Sequence, residues 1–394
     1  MSKISATSSV LAVASPASSA DKPIRVMIVD DAIVVRSLLK RWIEAEPDMA
    51  VAATLRTGRE AIDHIESCDP DVAVLDVDMP VLDGISALPA MLKKKRDLVV
   101  IMASTLTRRG AEVSLKALSL GAADYVPKPQ ARPDASTSEA FHRELIEKIR
   151  NLGRRGRMLA RQWMPAGAPC QQPRAASRRY EGVTQQADAA AFGARAFAAV
   201  LPRVLLIGSS TGGPQALTAL AGKFGKVLER APILITQHMP ATFTTVLAEH
   251  LTRASGRNVH EAEHGEAVVA GGIYLAPGGR HMRVVRGREG PTIALGDDPV
   301  INFCKPAVDP LLSSAAEIWG SASLALVLTG MGCDGTRGAA DIVAAGGSVI
   351  AQDEATSVVW GMPRSVAQAG LCAAVLPLDQ IAAKVTRLFS GDRS

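Results

Sequence analysis

The chain has few cysteines, and none of them belongs to a C-x-x-C pair. Their number is odd and their positions are widely scattered: Cys68, Cys170, Cys304, Cys333 and Cys372. This spacing favours neither a disulfide framework nor a zinc site. The sequence therefore predicts a protein of a reducing compartment, the cytoplasm.

Long apolar runs are also missing, since none approaches the roughly 18 residues that a membrane-spanning helix needs. No membrane insertion is expected. The 394 residues, 47% hydrophobic and 21% charged, indicate a soluble globular chain of two or three domains. Residues 1–23, rich in Ser and Ala, contain Lys3 and an apolar stretch broken by Ser and Pro, so we expect a disordered tail and not an export signal.

The excess of positive charge does not lie on a recognisable nucleic-acid-reading element. The net charge of +5 is concentrated in one Arg-rich segment: Arg154, Arg155, Arg157, Arg161, Arg174, Arg178 and Arg179. We interpret residues 151–201 as an Arg/Ala-rich linker with a short helix near 187–199, and expect no nucleic-acid partner. Docking on an acidic partner is the alternative role of its charge.

The segment 24–150 has the pattern of an α/β domain with a doubly wound parallel sheet. The apolar runs IRVMIVD, DVAVLD, LVVIMAS and ADYVPKP are separated by segments of helical spacing. Polar groups stand at their carboxyl ends: Asp30, Asp31, Asp76, Ser104 and Lys128. Because ligands of such sheets bind at this edge, these groups are expected to converge.

Three clustered carboxylates repel one another unless a cation sits among them, and an oxygen-only set suits Mg²⁺. A carboxylate beside Mg²⁺ can attack a phosphoryl donor, and Lys128 and Ser104 could hold the phosphoryl oxygens. Each acid alone could instead cap a helix. The ordered set of five favours a phosphoryl-transfer site.

A second α/β unit, residues 202–394, begins with VLLIGSSTGG, a buried strand that runs into a tight turn. Residues 208–212 fit the G-x-S-x-G pattern, which would expose the Ser210 hydroxyl at the N-terminus of a helix starting near Pro214. Such a turn could also bind phosphate. The runs MRVVRG and PTIALG predict an antiparallel hairpin within this unit.

A serine nucleophile needs a base and a group that orients it. His238 follows the apolar strand PILIT, whereas the other four histidines of this half fall in helix or loop segments and are expected to be exposed. Asp334 follows the strand LALVLTG. The order Ser210, His238, Asp334 differs from the Ser, Asp, His order of α/β-hydrolases, so the elbow does not assign that fold.

The motifs VDDAIVVR, LDVDMPVLDG, ASTLT and YVPKP resemble those of a response-regulator receiver domain, which has a flavodoxin-like parallel sheet. The resemblance implies a histidine kinase as phosphodonor, Asp76 as phosphoacceptor, and Mg²⁺ held by Asp30, Asp31 and Asp76. It implies a switch made of Ser104, Tyr125 and Lys128. Pro89 departs from the pattern and should kink or shorten its helix.

The motifs GSSTGG, ITQHMP, TGMGCDG and QDEATSVVWGMPR resemble the catalytic domain of the chemotaxis-specific protein-glutamate methylesterases, the CheB family. The resemblance implies a Ser210, His238, Asp334 triad, with Thr211 and the Met331 backbone near the oxyanion. The implied substrates are methylated glutamates and particular glutamines of methyl-accepting chemoreceptors, hydrolysed without a cofactor.

Two features depart from this family pattern, the long linker and the segment KPAVD at residues 305–309 in place of R-P-S-V-D. Neither is expected to touch the three catalytic residues.

The alternative function is a phosphorylation-controlled regulator whose output domain binds nucleic acid or a nucleotide. The second unit lacks a compact helix-turn-helix pattern, and GSSTGG lacks both the G-x-G-x-x-G spacing and the P-loop lysine.

Overall fold

The computed structural model describes residues 22–128, 135–163, 195–225 and 227–392. Residues 1–21 of the expected tail lie outside this range. So does most of the short helix expected near 187–199, and the described part of it, 195–199, is not helical.

The first domain contains a five-stranded parallel sheet with the strand order β2-β1-β3-β4-β5. Its strands are β1 Ile24–Val29, β2 Met49–Leu55, β3 Val72–Asp76, β4 Val99–Ser104 and β5 Asp124–Pro127. This is the order of flavodoxin-like folds, and it confirms the predicted class. The sequence pattern missed β2, a half-buried edge strand rich in alanine, which has little strand propensity.

Five helices cover the two faces of this sheet. They are α1 Ile33–Glu44, α2 Gly58–Cys68, α3 Gly84–Lys94, α4 Arg108–Ser119 and α5 Ala135–Trp163. Pro89 does not shorten α3, because it lies on the exposed face, where the carbonyl that loses its helical donor can be hydrated. Helix α5 continues to Trp163, although it was expected to end near Asn151.

The second domain is built on seven parallel strands in the order β14-β13-β12-β6-β7-β9-β8, and the hairpin β10-β11 packs beside them. The strands are β6 Val204–Ser209, β7 Ile233–Gln237, β8 Val259–Glu261, β9 Ile273–Leu275, β10 His281–Arg286, β11 Pro291–Gly296, β12 Ser323–Val327, β13 Ser348–Gln352 and β14 Ala374–Leu376. The predicted α/β fold with an antiparallel hairpin is confirmed.

Helices pack on both faces of this sheet. They are α6 Gly213–Ala221, α7 Val227–Arg230, α8 Ala241–Ser255, α9 Val308–Trp319, α10 Thr336–Ala344, α11 Met362–Gln368 and α12 Leu378–Phe389. Strand β6 lies between β12 and β7 and pairs in parallel with both. The segments that follow these three strands therefore meet at one edge of the sheet.

The first domain packs over this edge of the second. Helix α4 lies against α6 and α8. The Tyr125 ring stacks on Phe243, with ring centroids 4.6 Å apart and an interplanar angle of 10°. Arg108 donates a 2.6 Å hydrogen bond to Glu249. The two domains therefore share both an aromatic and a charged contact.

Helix α5 extends the interdomain contact beyond the sheet of the first domain. The Arg143 guanidinium lies 3.9 Å from the centroid of the Phe303 ring. Further along, Asn151 donates to the Met331 sulfur at 3.1 Å, and Arg155 donates to the carbonyl of Glu354 at the same distance. Asn151 and Arg155, which the sequence assigned to the linker, thus contact the second domain.

Among the described residues, no helix combines the length and the apolar character that crossing a membrane requires.

Candidate active site

Ser210 follows β6 in a tight turn that two glycines make possible. Gly212 has a φ of 77°, and a Cβ there would lie 2.4 Å from the Cβ of Val358. A Cβ on Gly330 would lie 2.9 Å from the Cβ of Ser210. The backbone can therefore close around Ser210, whose side chain is half-buried. The structure records no hydrogen bond between its hydroxyl and another described residue.

His238 and Asp334 form a direct pair, with Nε2 of the imidazole 2.7 Å from Oδ2 of the carboxylate. Burial opposes a charge on His238, but its contacts with Cys304 and Asp334 outweigh burial and raise its pKa to about 10. Burial likewise opposes ionisation of Asp334, yet the hydrogen bond from His238 keeps its pKa below the usual range. An imidazolium facing a carboxylate is the favoured state at neutral pH.

Asp334 is held by backbone donors from the start of helix α9. The N–H groups of Val308 and Asp309 donate to its two oxygens at 2.6 and 3.2 Å. The expectation that segment 305–309 does not touch the three predicted catalytic residues is therefore wrong. The physical reason is that the first N–H groups of a helix lack partners within the helix and bind a carboxylate readily.

The two residues predicted at the oxyanion lie on either side of the turn. Thr211 directly follows Ser210, and its carbonyl accepts a 2.8 Å hydrogen bond from the Thr329 hydroxyl. Met331 follows Gly330. Within the described residues, no acceptor is recorded for the backbone N–H of Thr211 or of Met331. Their role at the oxyanion stays a prediction.

Sequence reasoning missed two residues of this site. Gln237 accepts a hydrogen bond from Ser209 at 2.7 Å and donates to the carbonyls of Ser210 and His238 at 3.0 and 3.1 Å. Its place directly before His238 at the strand end was the available signal. The Cys304 sulfur lies 3.2 Å from Nδ1 of His238, and no strand or motif marked it.

His281 also differs from its expected surroundings. It begins β10 and is fully buried, where Nδ1 accepts from the Ala307 N–H and Nε2 contacts the Pro299 carbonyl. The hairpin packs on helix α9, and Ala307 directly precedes that helix. Both ring nitrogens are thus engaged by the backbone, which indicates a structural histidine.

In the first domain, the polar groups at the strand ends converge as expected. Lys128 reaches Asp30 Oδ2 at 2.6 Å and Asp76 Oδ1 at 2.7 Å. One oxygen from each of Asp30, Asp31 and Asp76 lies within 4.8 Å of the others, and Asp31 is the exposed member. Burial raises the pKa of Asp76 to about 6, although the Lys128 charge opposes this rise.

The other two residues predicted to form the switch have different partners. The Ser104 hydroxyl is buried and 2.7 Å from the Ser114 hydroxyl, so it is engaged by helix α4. Tyr125 is buried beneath the second domain, in the stack with Phe243. Of the three residues, only Lys128 therefore contacts the carboxylates. Ser104 contacts helix α4, and Tyr125 contacts the second domain.

This fold and this site define a two-domain α/β protein in which a response-regulator receiver precedes an esterase-like domain. The model of the response regulator receiver domain matches residues 26–137, and that of the CheB methylesterase matches residues 205–385. The chain belongs to the CheB family. The family match therefore favours an esterase output domain over the alternative, an output domain that binds nucleic acid or a nucleotide.

Curated relatives match over almost their whole length. A protein-glutamate methylesterase/protein-glutamine glutaminase of Rhodopseudomonas palustris is 62% identical, over 95% of this chain and 96% of the relative. One of Bradyrhizobium diazoefficiens is also 62% identical, over 94% of this chain and 96% of the relative. The solved CheB methylesterase catalytic domain of Thermotoga maritima is 43% identical, with a TM-score of 0.46, and covers 48% of this chain and 100% of that one.

The substitution Asp334→Asn should lower the pKa of His238, because it removes the carboxylate that stabilises the imidazolium. The wild-type ring should stay protonated above pH 8, which histidine-labelled NMR titration measures. His250, whose pKa is lowered by burial and by Arg253, is the internal control and should not shift. A His238 titration midpoint unchanged by the substitution would contradict the pairing.

Proposed function

We propose that the chain is a phosphorylation-controlled serine hydrolase that demethylates glutamyl methyl esters and deamidates particular glutamines of methyl-accepting chemoreceptors. The observation that supports it most directly is the buried His238–Asp334 pair beside the Ser210 turn, within the segment matched by the CheB methylesterase model. The curated relatives are named for both reactions, methylesterase and glutaminase.

Ser210 is the proposed nucleophile and His238 its base. Because Nε2 of the imidazole faces Asp334, the nitrogen available to the Ser210 hydroxyl is Nδ1. The hydroxyl oxygen attacks the side-chain carbonyl carbon of the substrate while Nδ1 takes its proton. The reactive form is the one in which Nδ1 has released its proton, so the rate should rise with pH towards the raised pKa of His238.

The N–H groups of Thr211 and Met331 are proposed to stabilise the oxyanion of the tetrahedral intermediate. When that intermediate collapses, His238 returns the proton to the leaving group, which departs as methanol from an ester or as ammonia from an amide. Water then adds to the acyl-serine with His238 again as base, giving glutamate and free Ser210.

Replacing Ser210 with alanine should lower methanol release from methylated receptor membranes at least about a thousandfold, since the nucleophile is lost. Circular dichroism should show an unchanged fold. Ser390→Ala, at the end of α12, is the control and should retain full turnover. A folded Ser210→Ala protein with most of its activity would remove Ser210 from this role.

The first domain is proposed to accept a phosphoryl group on Asp76 from a histidine kinase. The oxygen-only set of Asp30, Asp31 and Asp76, with two buried members, fits Mg²⁺, which prefers carboxylate and water oxygens. Bound there, the ion would offset the charge of the carboxylates and of the incoming phosphoryl oxygens. An Asp76 oxygen attacks the phosphorus of the kinase phosphohistidine as the P–N bond breaks and the histidine leaves, and Lys128 is close enough to pair with the new phosphoryl group.

The variant Asp76→Asn should abolish the stimulation of methanol release by a small-molecule phosphodonor with Mg²⁺, because an amide cannot accept the phosphoryl group. Its basal rate should persist. Asp78→Asn removes a neighbouring exposed carboxylate and should keep the stimulation. Equal stimulation of the Asp76→Asn variant and the wild type would place the phosphoacceptor elsewhere.

The receiver is proposed to inhibit the esterase by covering its active-site edge. Its contacts reach Met331 of the proposed oxyanion site and Phe303 beside Cys304. Phosphorylation at Asp76 would favour a receiver conformation that fits this surface less well, and the population of the uncovered form would rise.

A charge reversal tests this inhibition. Glu249→Lys places a cation opposite Arg108, where the wild type has a 2.6 Å ion pair. Since exposed ion pairs are weak, the basal rate should rise by about fivefold at most. The double variant Arg108→Glu/Glu249→Lys should return it to the wild-type value. Equal basal rates in all three proteins would argue against this surface as the inhibitory contact.

A further inference from the structure

Cys304 contacts the base that the proposed mechanism assigns to Ser210. Its sulfur lies 3.2 Å from Nδ1 of His238, on the side of the ring opposite Asp334. Nε2 faces the carboxylate, so Nδ1 faces the sulfur: it donates its N–H to the sulfur in the imidazolium and accepts the thiol proton in the neutral ring, the form that acts as base. The free nitrogen of the base is therefore occupied by a thiol and not by the Ser210 hydroxyl.

A tight turn places this thiol. Ile301 and Cys304 exchange two backbone hydrogen bonds, of 3.1 and 2.8 Å. The two residues between them, Asn302 and Phe303, have φ values of 49° and 63°, in the region that disfavours side chains larger than asparagine. Backbone strain of this kind persists only where surrounding contacts hold it.

The same turn also contacts the other member of the pair, since Asn302 donates to Asp334 Oδ1 at 3.3 Å. The turn thus engages the imidazole through Cys304 and the carboxylate through Asn302. These two contacts fix the sulfur relative to both groups. Cys304 belongs to an ordered constellation of thiol, imidazole and carboxylate.

The thiol has an alternative partner that frees the base. The Cys304 sulfur also lies 3.4 Å from the Asn302 carbonyl, which can accept its proton. A thiol is a weak donor, so a rotation towards this carbonyl would leave Nδ1 to the Ser210 hydroxyl. In the reduced enzyme, the contact with Cys304 is therefore reversible.

We propose that Cys304 is a redox-sensitive thiol of this active site, and that its oxidation by hydrogen peroxide stops ester hydrolysis by withholding His238 from Ser210. The inference rests on the proposed role of His238 as base. An adjacent imidazole that shares the thiol proton increases the nucleophilicity of sulfur. Cys304 is half-buried and follows two exposed residues, Asn302 and Phe303, which leaves the sulfur within reach of a small oxidant.

In the reaction, the sulfur attacks one peroxide oxygen and the O–O bond breaks. The thiol proton passes through the imidazole to the departing hydroxide, which leaves as water, and the sulfur, oxidised by two electrons, becomes a sulfenic acid. Its O–H is a stronger and bulkier partner for Nδ1 than the thiol. Dithiothreitol reverses the step: its two thiols are oxidised to a disulfide, Cys304 returns to the thiol, and the sulfenic oxygen leaves as water.

The test is methanol release by the full-length protein from methylated receptor membranes, before peroxide, after it, and after dithiothreitol. Wild type and Cys333→Ser, which lacks an exposed thiol of the same domain, should lose at least about tenfold in rate and recover it. Cys304→Ser should keep its own untreated rate under peroxide. Loss of activity in Cys304→Ser equal to that of wild type would overturn the proposal.

A second measurement does not depend on esterase activity. Iodoacetamide alkylation is followed at Cys304 and Cys333 in the same sample by mass spectrometry. His238→Gln should slow alkylation at Cys304 about tenfold and leave Cys333 unchanged. Equal rates at Cys304 in both proteins would overturn the activation by His238. Wild-type enzyme that releases no methanol before peroxide would contradict the proposed function, and the alkylation rates would still decide whether the thiol is activated.

Discussion

The arrangement of the catalytic domain depends on the buried carboxylate of Asp334. It is only 1% exposed, and an ionised group in that position is tolerated only when hydrogen bonds replace its water. Its donors come from separate parts of the chain: His238 after β7, Asn302 in the tight turn, Val308 and Asp309 at the start of α9, and the adjacent Gly335. Satisfying one charge thus fixes the strand end, the turn and the helix relative to one another.

The receiver also contains buried carboxylates, but a different kind of group compensates their charge. There, Asp30 and Asp76 are buried side by side, and the Lys128 ammonium lies between them. A lysine on a flexible stem is a mobile partner, unlike the fixed backbone N–H groups around Asp334. The receiver carboxylates can therefore exchange their cation for other charged groups, whereas the Asp334 site is built to remain in one arrangement.

The fold and the residues at strand ends could be predicted from the sequence, because a strand buried on both faces has a distinct apolar pattern and its carboxyl end lies at a known edge. The positions of Ser210, His238 and Asp76 at strand ends were predicted in this way. Cys304 was not, since a turn closed by two backbone hydrogen bonds has no periodicity to identify it. Strand β2 was missed for lack of β-branched residues along much of its length, and the extension of α5 to Trp163 because its Arg-rich composition is also typical of a linker.

The stack of Tyr125 on Phe243 would make the proposed inhibition of the esterase a property shared by the two domains. If the covered form binds Tyr125 in one orientation and phosphorylation favours another, the free energy that closes the active site also opposes phosphoryl transfer to Asp76. Thermodynamic linkage requires that phosphorylation destabilise the covered form by the same free energy by which covering disfavours phosphorylation. The catalytic domain is then as much an inhibitor of its own receiver as the receiver is of the catalytic domain.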